Sequence, residues 1–317
     1  MSTENYNKTD YEENERKKRL LGEQFDHPKK IRINGSDIHI YDIHTENANS
    51  VPVLYGIGYS AVPGNYGQAI IDLAEKNRRV ISIEAPHGVD TQPITEHPMV
   101  ELRKAAAWLE MMEQNNIEKA DAVAHSESAI YITIAATMHP EKFRNIILVD
   151  PAGIIGKDSA PRLMIGFAMD LIKEIIDDVR KSKDVLYSEY NPLHLINAEY
   201  LPARPQTSIL ELAQKVIAID PLDSIKSFFA ISNADILDMI KNLREKGVGV
   251  YIIHAADDKI FPTEDVQKMI SGGQVDGFYS IAGTHQTLSI NPRPTADVIN
   301  YALNAGEVKY NKANLLK

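Results

Sequence analysis

The sequence predicts an α/β protein: a mostly parallel sheet with helices on both faces and a helical insertion. Three observations carry this reading. From residue 29 to residue 150, short apolar runs alternate with segments of helical periodicity. The alternation stops after Gly153, and no good strand can be read from about 155 to 246. It resumes with VGVYIIH at 248–254 and DGFYSIA at 276–282.

In chain order, residues 1–28 are polar and carry both charges, which predicts a tail or a short surface helix ending near Pro28. KKIRINGSDIHIYDIHT places two alternating runs on either side of Asn34-Gly35, a hairpin turn signal. VPVLY (51–55) is a buried strand, 65–77 a helix, RRVISIE (78–84) a strand and 98–116 a helix. DAVAH (121–125) is a weak strand by propensity, because Val123 is its one β-branched residue. Residues 127–139 are apolar nearly all round and should form a buried helix, followed by the buried strand RNIILVD (144–150). Within the insertion, Met164, Phe167, Ala168, Leu171 and Ile172 open a helical stripe, and SILELAQKVIAI and ADILDMIKNLREK also look helical. Helices at TEDVQKMI and TADVINYALN flank the last strand. The boundaries follow: a polar tail at 1–28, a core at 29–154 and 247–317, and a helical cap at 155–246.

The bulk chemistry narrows the function classes. A formal net charge of -10 repels phosphate backbones and anionic lipid, which argues against nucleic-acid and membrane-surface partners. There is no cysteine, so no disulfide, zinc-thiolate site or cysteine nucleophile is available. The ten histidines show no His-Glu-x-x-His spacing, and no metal or cofactor is expected. No stretch is apolar for long enough to span a bilayer, and the first 25 residues lack the apolar core of a secretory signal. A cytoplasmic protein is expected.

The chemistry concentrates at strand–Ala124-His125-Ser126-Glu127-Ser128–helix. A serine on a sharp strand-to-helix turn projects its Oγ away from the backbone, and such a turn needs small residues two before and two after. Ala124 and Ser128 satisfy that for Ser126; Ser128 itself would have Ile130 two residues on. The N–H groups at the start of the following helix favour a developing oxyanion. A serine needs a base, expected downstream after an acid. Asp257 and Asp258 follow one apolar strand directly, and His285 follows the next, at the sheet edge where α/β proteins build their sites. Asp150, at the end of LVD, is a second possible acid. His87, in APHGVDT, reads as structural.

With these residues the chain resembles an α/β-hydrolase over roughly residues 30–306, with a cap inserted after the sixth strand. The resemblance implies a mostly parallel eight-stranded sheet. The family's Gly-x-Ser-x-Gly elbow stands here as Ala-His-Ser-Glu-Ser. Its acid loop matches Ala255-Ala256-Asp257-Asp258 with Pro262, a register that selects Asp258. Gly283-Thr284-His285 resembles its histidine loop. Its oxyanion loop, usually opening His-Gly, is similar to Tyr55-Gly56-Ile57-Gly58, with Tyr55 in the histidine position. The resemblance then implies an oxyanion hole made by the backbone N–H groups of Ile57 and Glu127. The implied activity is a serine hydrolase that forms an acyl-enzyme on Ser126, with Asp258 orienting His285. An apolar acyl substrate is expected, from the Met, Phe, Leu and Ile residues of the cap. Two rival classes remain. Gly56-Ile57-Gly58-Tyr59-Ser60-Ala61 with Glu84 is similar to a dinucleotide fingerprint, which would make an NAD-dependent oxidoreductase. A non-catalytic ligand-binding protein could keep the same fold.

Overall fold

The computed structural model describes residues 8–33, 35–44, 51–59, 61–84, 98–170, 173 and 221–315. Eight strands form one sheet: β1 (Lys29–Ile33), β2 (Ser36–Ile43), β3 (Val53–Gly56), β4 (Val80–Ile83), β5 (Ala120–His125), β6 (Phe143–Val149), β7 (Gly249–Ala255) and β8 (Gly277–Ile281). Their order is β1-β2-β4-β3-β5-β6-β7-β8. β2 pairs antiparallel with both β1 and β4; every other pairing is parallel. This is the mostly parallel sheet expected from the alternation, with the hairpin at one edge.

Alternate residues of the central strands feed two cores, as the two-residue period of a strand requires. Leu54, Ala122, Ala124, Ile146, Leu148, Val250 and Ile252 point to one face, where α3 (Pro98–Gln114), α4 (Ser128–Met138) and α7 (Leu237–Glu245) pack. Val53, Tyr55, Val123, Ile147, Val149, Tyr251 and Ile253 point to the other, covered by α1 (Lys8–Asp26), α2 (Gly67–Glu75) and α10 (Pro292–Leu315). β5 is a strand despite its weak propensity because all six of its residues are buried between β3 and β6. Burial outweighs a scale that measures fit to a half-buried surface.

Of the two expectations for the amino-terminal segment, a tail or a short surface helix, the structure has a helix. From Lys8 it is helix α1, and Leu21 and Phe25, one turn apart, are buried in the second core. Phe25 meets Tyr41 of β2 at 4.9 Å between ring centroids. The segment is polar on average, but an i, i+4 apolar pair is enough to dock a helix.

Between β6 and β7 the described residues include a helix at 160–170 (α5) and α6 (Pro221–Asn233). Residues 171, 172 and 174–220, with most of the expected cap, lie outside the described residues, as does His87. Of the expected stripe, Met164, Phe167 and Ala168 line a cavity, and Leu171 and Ile172 lie outside the described residues. The side of α5 packed on the core is Leu163, Gly166 and Asp170, all buried, while Met164 is 63% exposed at the cavity. A Cβ at Gly166 would lie 2.8 Å from the Lys259 carbonyl oxygen. Glycine therefore lets α5 ride directly on the loop after β7. α8 (Thr263–Ile270) and the short α9 (Thr287–Ile290) complete the element list.

Candidate active site

The chain leaves β3 outward to β4 and returns to β5 on the other side of β3, so the crevice at the carboxyl ends of β3 and β5 is the topological switch point. Ser126 stands there, one residue past β5, at φ +55°. A left-handed backbone at a non-glycine residue costs on the order of 1 kcal/mol or more. The surroundings over-determine it. The Ser126 N–H donates to the Val149 carbonyl at 3.0 Å, and its carbonyl accepts from Ala129 and Ala152 at 3.0 and 3.1 Å. The turn is tight because its neighbours are small. A Cβ on Gly56 would lie 2.7 Å from the Ser128 Cβ.

His285 and Asp258 reach the same point from the ends of β8 and β7. His285 Nε2 lies 2.8 Å from Ser126 Oγ, and its Nδ1 lies 2.8 Å from Asp258 Oδ2. The other carboxylate oxygen, Oδ1, accepts from the Ile260 and Phe261 N–H groups at 2.8 and 2.9 Å. All three side chains are buried. Asp257 points outward and pairs with Lys173 at 2.6 Å. Asp150 lies one strand over, fully buried, with Oδ1 accepting from the Ala255 N–H at 2.7 Å.

No family model matches the chain, and no curated protein matches it. Among solved structures, a thermophilic esterase from Thermogutta terrifontis is similar with a TM-score of 0.61 at 14% identity, covering 88% of this chain and 99% of its own. An enol-lactonase from Burkholderia xenovorans LB400 superposes at 0.60 and 10% identity over 87% of this chain and 100% of that one. A membrane phospholipase A described as a bacterial virulence factor gives 0.64 at 12% identity over 94% and 92%. A further match at 0.59, with 13% identity over 87% and 97%, is an α/β-hydrolase enzyme from a Medee basin deep-sea metagenome. The chain has the α/β-hydrolase fold.

Within this α/β-hydrolase fold a hydrogen-bonded clamp, unseen in the sequence, joins the three loops of the site. His125 Nε2 lies 3.0 Å from the His285 carbonyl oxygen and must donate to it. Its Nδ1 therefore accepts from the Tyr66 hydroxyl at 2.8 Å. The Tyr66 oxygen in turn accepts from the Gly58 N–H at 3.1 Å, while Tyr131 donates to the Ile57 carbonyl at 2.9 Å. The peptide unit between Ile57 and Gly58 is thus held at both ends. Burial lowers the His125 imidazole to about 3, helped by the neighbouring His285, so it stays neutral in this relay. Tyr66→Phe should leave Nδ1 of His125 unpaired and free the Gly58 loop. The expected outcome is roughly a tenfold lower kcat on an ester substrate, equivalent to about 1.4 kcal/mol, with a smaller fractional change in KM. Steady-state kinetics of the variant checks this.

The electrostatics are set by burial. It pulls the His285 imidazole down, but the charge and hydrogen bond of Asp258, with Asp150 and Asp170, outweigh it and push His285 up to about 9. Burial would raise the Asp258 carboxyl, but His285, His254 and the Phe261 N–H hold it below the usual carboxylate range. Asp150 goes the other way: burial, then the Asp258 charge, push it far up. On the opposite side, Lys104 donates to Glu127 Oε1 at 2.6 Å and to Ser227 of α6 at 3.0 Å, tying the residue after Ser126 to the insertion. Burial and then the Glu127 charge outweigh Lys104 and hold the nearby Glu101 carboxyl up at about 8.

Two groups of three could in principle ligate a metal: His125, Asp150 and His285, and Asp150, His254 and Asp258. Most of their nitrogens are already spent in hydrogen bonds; the exception is His254 Nδ1, which has no hydrogen-bond partner among the described residues and lies 3.2 Å from Asp150 Oδ1. His125 serves Tyr66 and His285, His285 serves Ser126 and Asp258, and His254 Nε2 donates to the Phe261 carbonyl at 2.8 Å. The dinucleotide reading lacks its geometry as well. A 3-10 turn at Pro63–Tyr66 intervenes, α2 does not open until Gly67, and Glu84 is engaged by His39 at 2.9 Å.

A cavity of about 660 Å³ opens onto Ser126 and His285. Its wall among the described residues is mostly apolar, with Tyr59, Met164, Phe167, Ile225, Phe228 and Phe229 from the β3 loop and the insertion. The Tyr59, Phe167 and Phe228 rings cluster at centroid distances of 6.1 to 6.3 Å, and Phe167 stands edge-on to His285 at 6.4 Å. Among the described residues, no helix is long and apolar enough to cross a membrane.

Proposed function

We propose that this chain is a serine hydrolase that cleaves an ester-like carbonyl substrate through an acyl-enzyme on Ser126. The observation that carries the reading is the continuous hydrogen-bonded line Ser126–His285–Asp258 at the mouth of an apolar cavity. The neutral His285 imidazole takes the Ser126 proton as Oγ attacks the carbonyl carbon. Asp258 keeps the Nδ1–H tautomer and stabilises the imidazolium. The Ile57 and Glu127 N–H groups receive the oxyanion, while the Gly58 N–H is committed to Tyr66. His285 then protonates the leaving group and activates the water that releases the acid. The esterase, the lactonase and the phospholipase of the same fold are named for the same class of bond. The substrate is a small molecule with an acyl part suited to the apolar wall, and no cofactor enters the mechanism.

A fluorophosphonate tests this directly, because it phosphonylates a serine only where a base and an oxyanion site activate it. Peptide mass spectrometry should find the adduct on Ser126, and prior reaction should abolish hydrolysis of p-nitrophenyl butyrate. An unmodified Ser126 with undiminished turnover would sink the proposal and favour a ligand-binding protein of the same fold.

A further inference from the structure

The wall of the cavity is apolar except at a few points, and two of these are incomplete. Asp170, on α5, lines the cavity and is 2% exposed. Its Oδ1 is spent on the backbone, accepting from the His285 and Lys259 N–H groups, both at 3.4 Å. Its Oδ2 has no hydrogen-bond partner among the described residues. Asn65, in the 3-10 turn after β3, lines the same cavity and is 7% exposed. The Val62 N–H, at 3.0 Å, fixes which end of the amide is oxygen, and the amide nitrogen Nδ2 donates to nothing among the described residues. Buried donors and acceptors are almost always paired, and an unpaired one calls for an explanation. A plain aliphatic chain would bury both and satisfy neither.

We propose that the substrate carries, close to its reacting carbonyl, a hydroxyl or N–H that donates to Asp170 Oδ2, and an acceptor that meets Asn65 Nδ2, on an otherwise apolar acyl group. This rests on the hydrolase reading and sharpens it to a substrate class. The placement near the carbonyl follows from the fold: Asp170 is bonded to the backbone N–H of His285, the residue whose side chain engages Ser126. A site whose polar groups await a partner discriminates strongly against the analogue that lacks one, whereas an apolar wall alone separates chains weakly.

The experiment compares p-nitrophenyl butyrate with its β-hydroxy analogue on the wild type and on Asp170→Asn. The substitution keeps an oxygen for the two backbone N–H groups and turns the other position into a donor. The wild type should favour the hydroxy ester at least about tenfold in kcat/KM, and Asp170→Asn should bring the ratio close to one. Because each protein is compared with itself on two esters, a general loss of activity or stability does not move the ratio. In parallel, calorimetry on Ser126→Ala should show tighter binding of the hydroxy ester, lost when Asp170→Asn is added. Equal wild-type turnover of both esters, dependent on Ser126, would overturn the inference and leave the hydrolase reading standing. The same holds for a preference that survives Asp170→Asn. If neither ester is turned over in a Ser126-dependent way, the hydrolase reading fails, and the calorimetric comparison still decides whether Asp170 selects the donor.

Discussion

Ser126→Ala should lower kcat on a p-nitrophenyl ester by on the order of a million-fold, leaving only what binding and the oxyanion site supply. The size of the effect follows from the unit the three side chains form. Without Oγ, His285 has no proton to accept and no acyl-enzyme can form, so the loss is not shared out among separate contacts. Folding should be intact, because the hydrogen bonds that hold the turn come from the backbone of Ser126 and not from its hydroxyl. Ser126→Gly makes the distinction sharper. Glycine adopts φ +55° without penalty, so this variant should be about 1 kcal/mol more stable than the wild type while equally inactive. Initial rates and thermal melting of the two variants check both halves. A Ser126→Ala protein retaining more than about a hundredth of the activity would remove Ser126 from the chemistry.

The site is held mostly by the parts of the fold that are legible in the sequence. The hairpin and the parallel alternation are legible, but the strand order that sets the switch point, with β4 between β2 and β3, is not, since a hairpin followed by parallel crossovers fits more than one order. Ser126 could be chosen over Ser128 from the size of the residues two positions away. The acid-loop register points to Asp258; Asp258 is the carboxylate hydrogen-bonded to His285, and the neighbouring Asp257 pairs with Lys173. These features are local: each depends on residue types within a few positions of the turn that needs them.

What the sequence hid depends on which turn of a helix faces which loop. The apolar stripe of α5 points to Met164, Phe167 and Ala168, which line the cavity, but passes over Asp170, which lies one turn beyond Phe167 and lines it too. An acid at i+3 on an apolar face was the available signal. Likewise Glu101 and Lys104, three apart on α3, mark a buried charged cluster that pattern alone reads as a solvated face. His125 is the plainest omission. It ends a fully buried strand next to the serine, where an imidazole must find two partners, yet both partners, Tyr66 and the His285 carbonyl, come from distant loops. No spacing rule reaches that far.

Asp258→Asn and Asp150→Asn should separate the two buried acids. The first should lower kcat by about ten-thousand-fold, because an amide in that place no longer enforces the Nδ1–H tautomer nor stabilises the imidazolium. The second should cost far less, since Asp150 is hydrogen-bonded to neither Ser126 nor His285, and asparagine keeps an oxygen for the Ala255 N–H. The pH profiles should differ in the same sense. His285 works only as the neutral imidazole, and Asp258 is the first of the carboxylates that raise it to about 9. In the wild type, kcat/KM should therefore rise as pH climbs through the alkaline region towards that value and fall below it as the imidazole is protonated. Removing the Asp258 charge should slide this limb downward, because burial alone depresses an imidazole. Removing the Asp150 carboxyl should move it by much less, because Asp150 raises His285 only after the charge and hydrogen bond of Asp258. A limb that moves with Asp150 and not with Asp258 would make Asp150 the acid partner of His285.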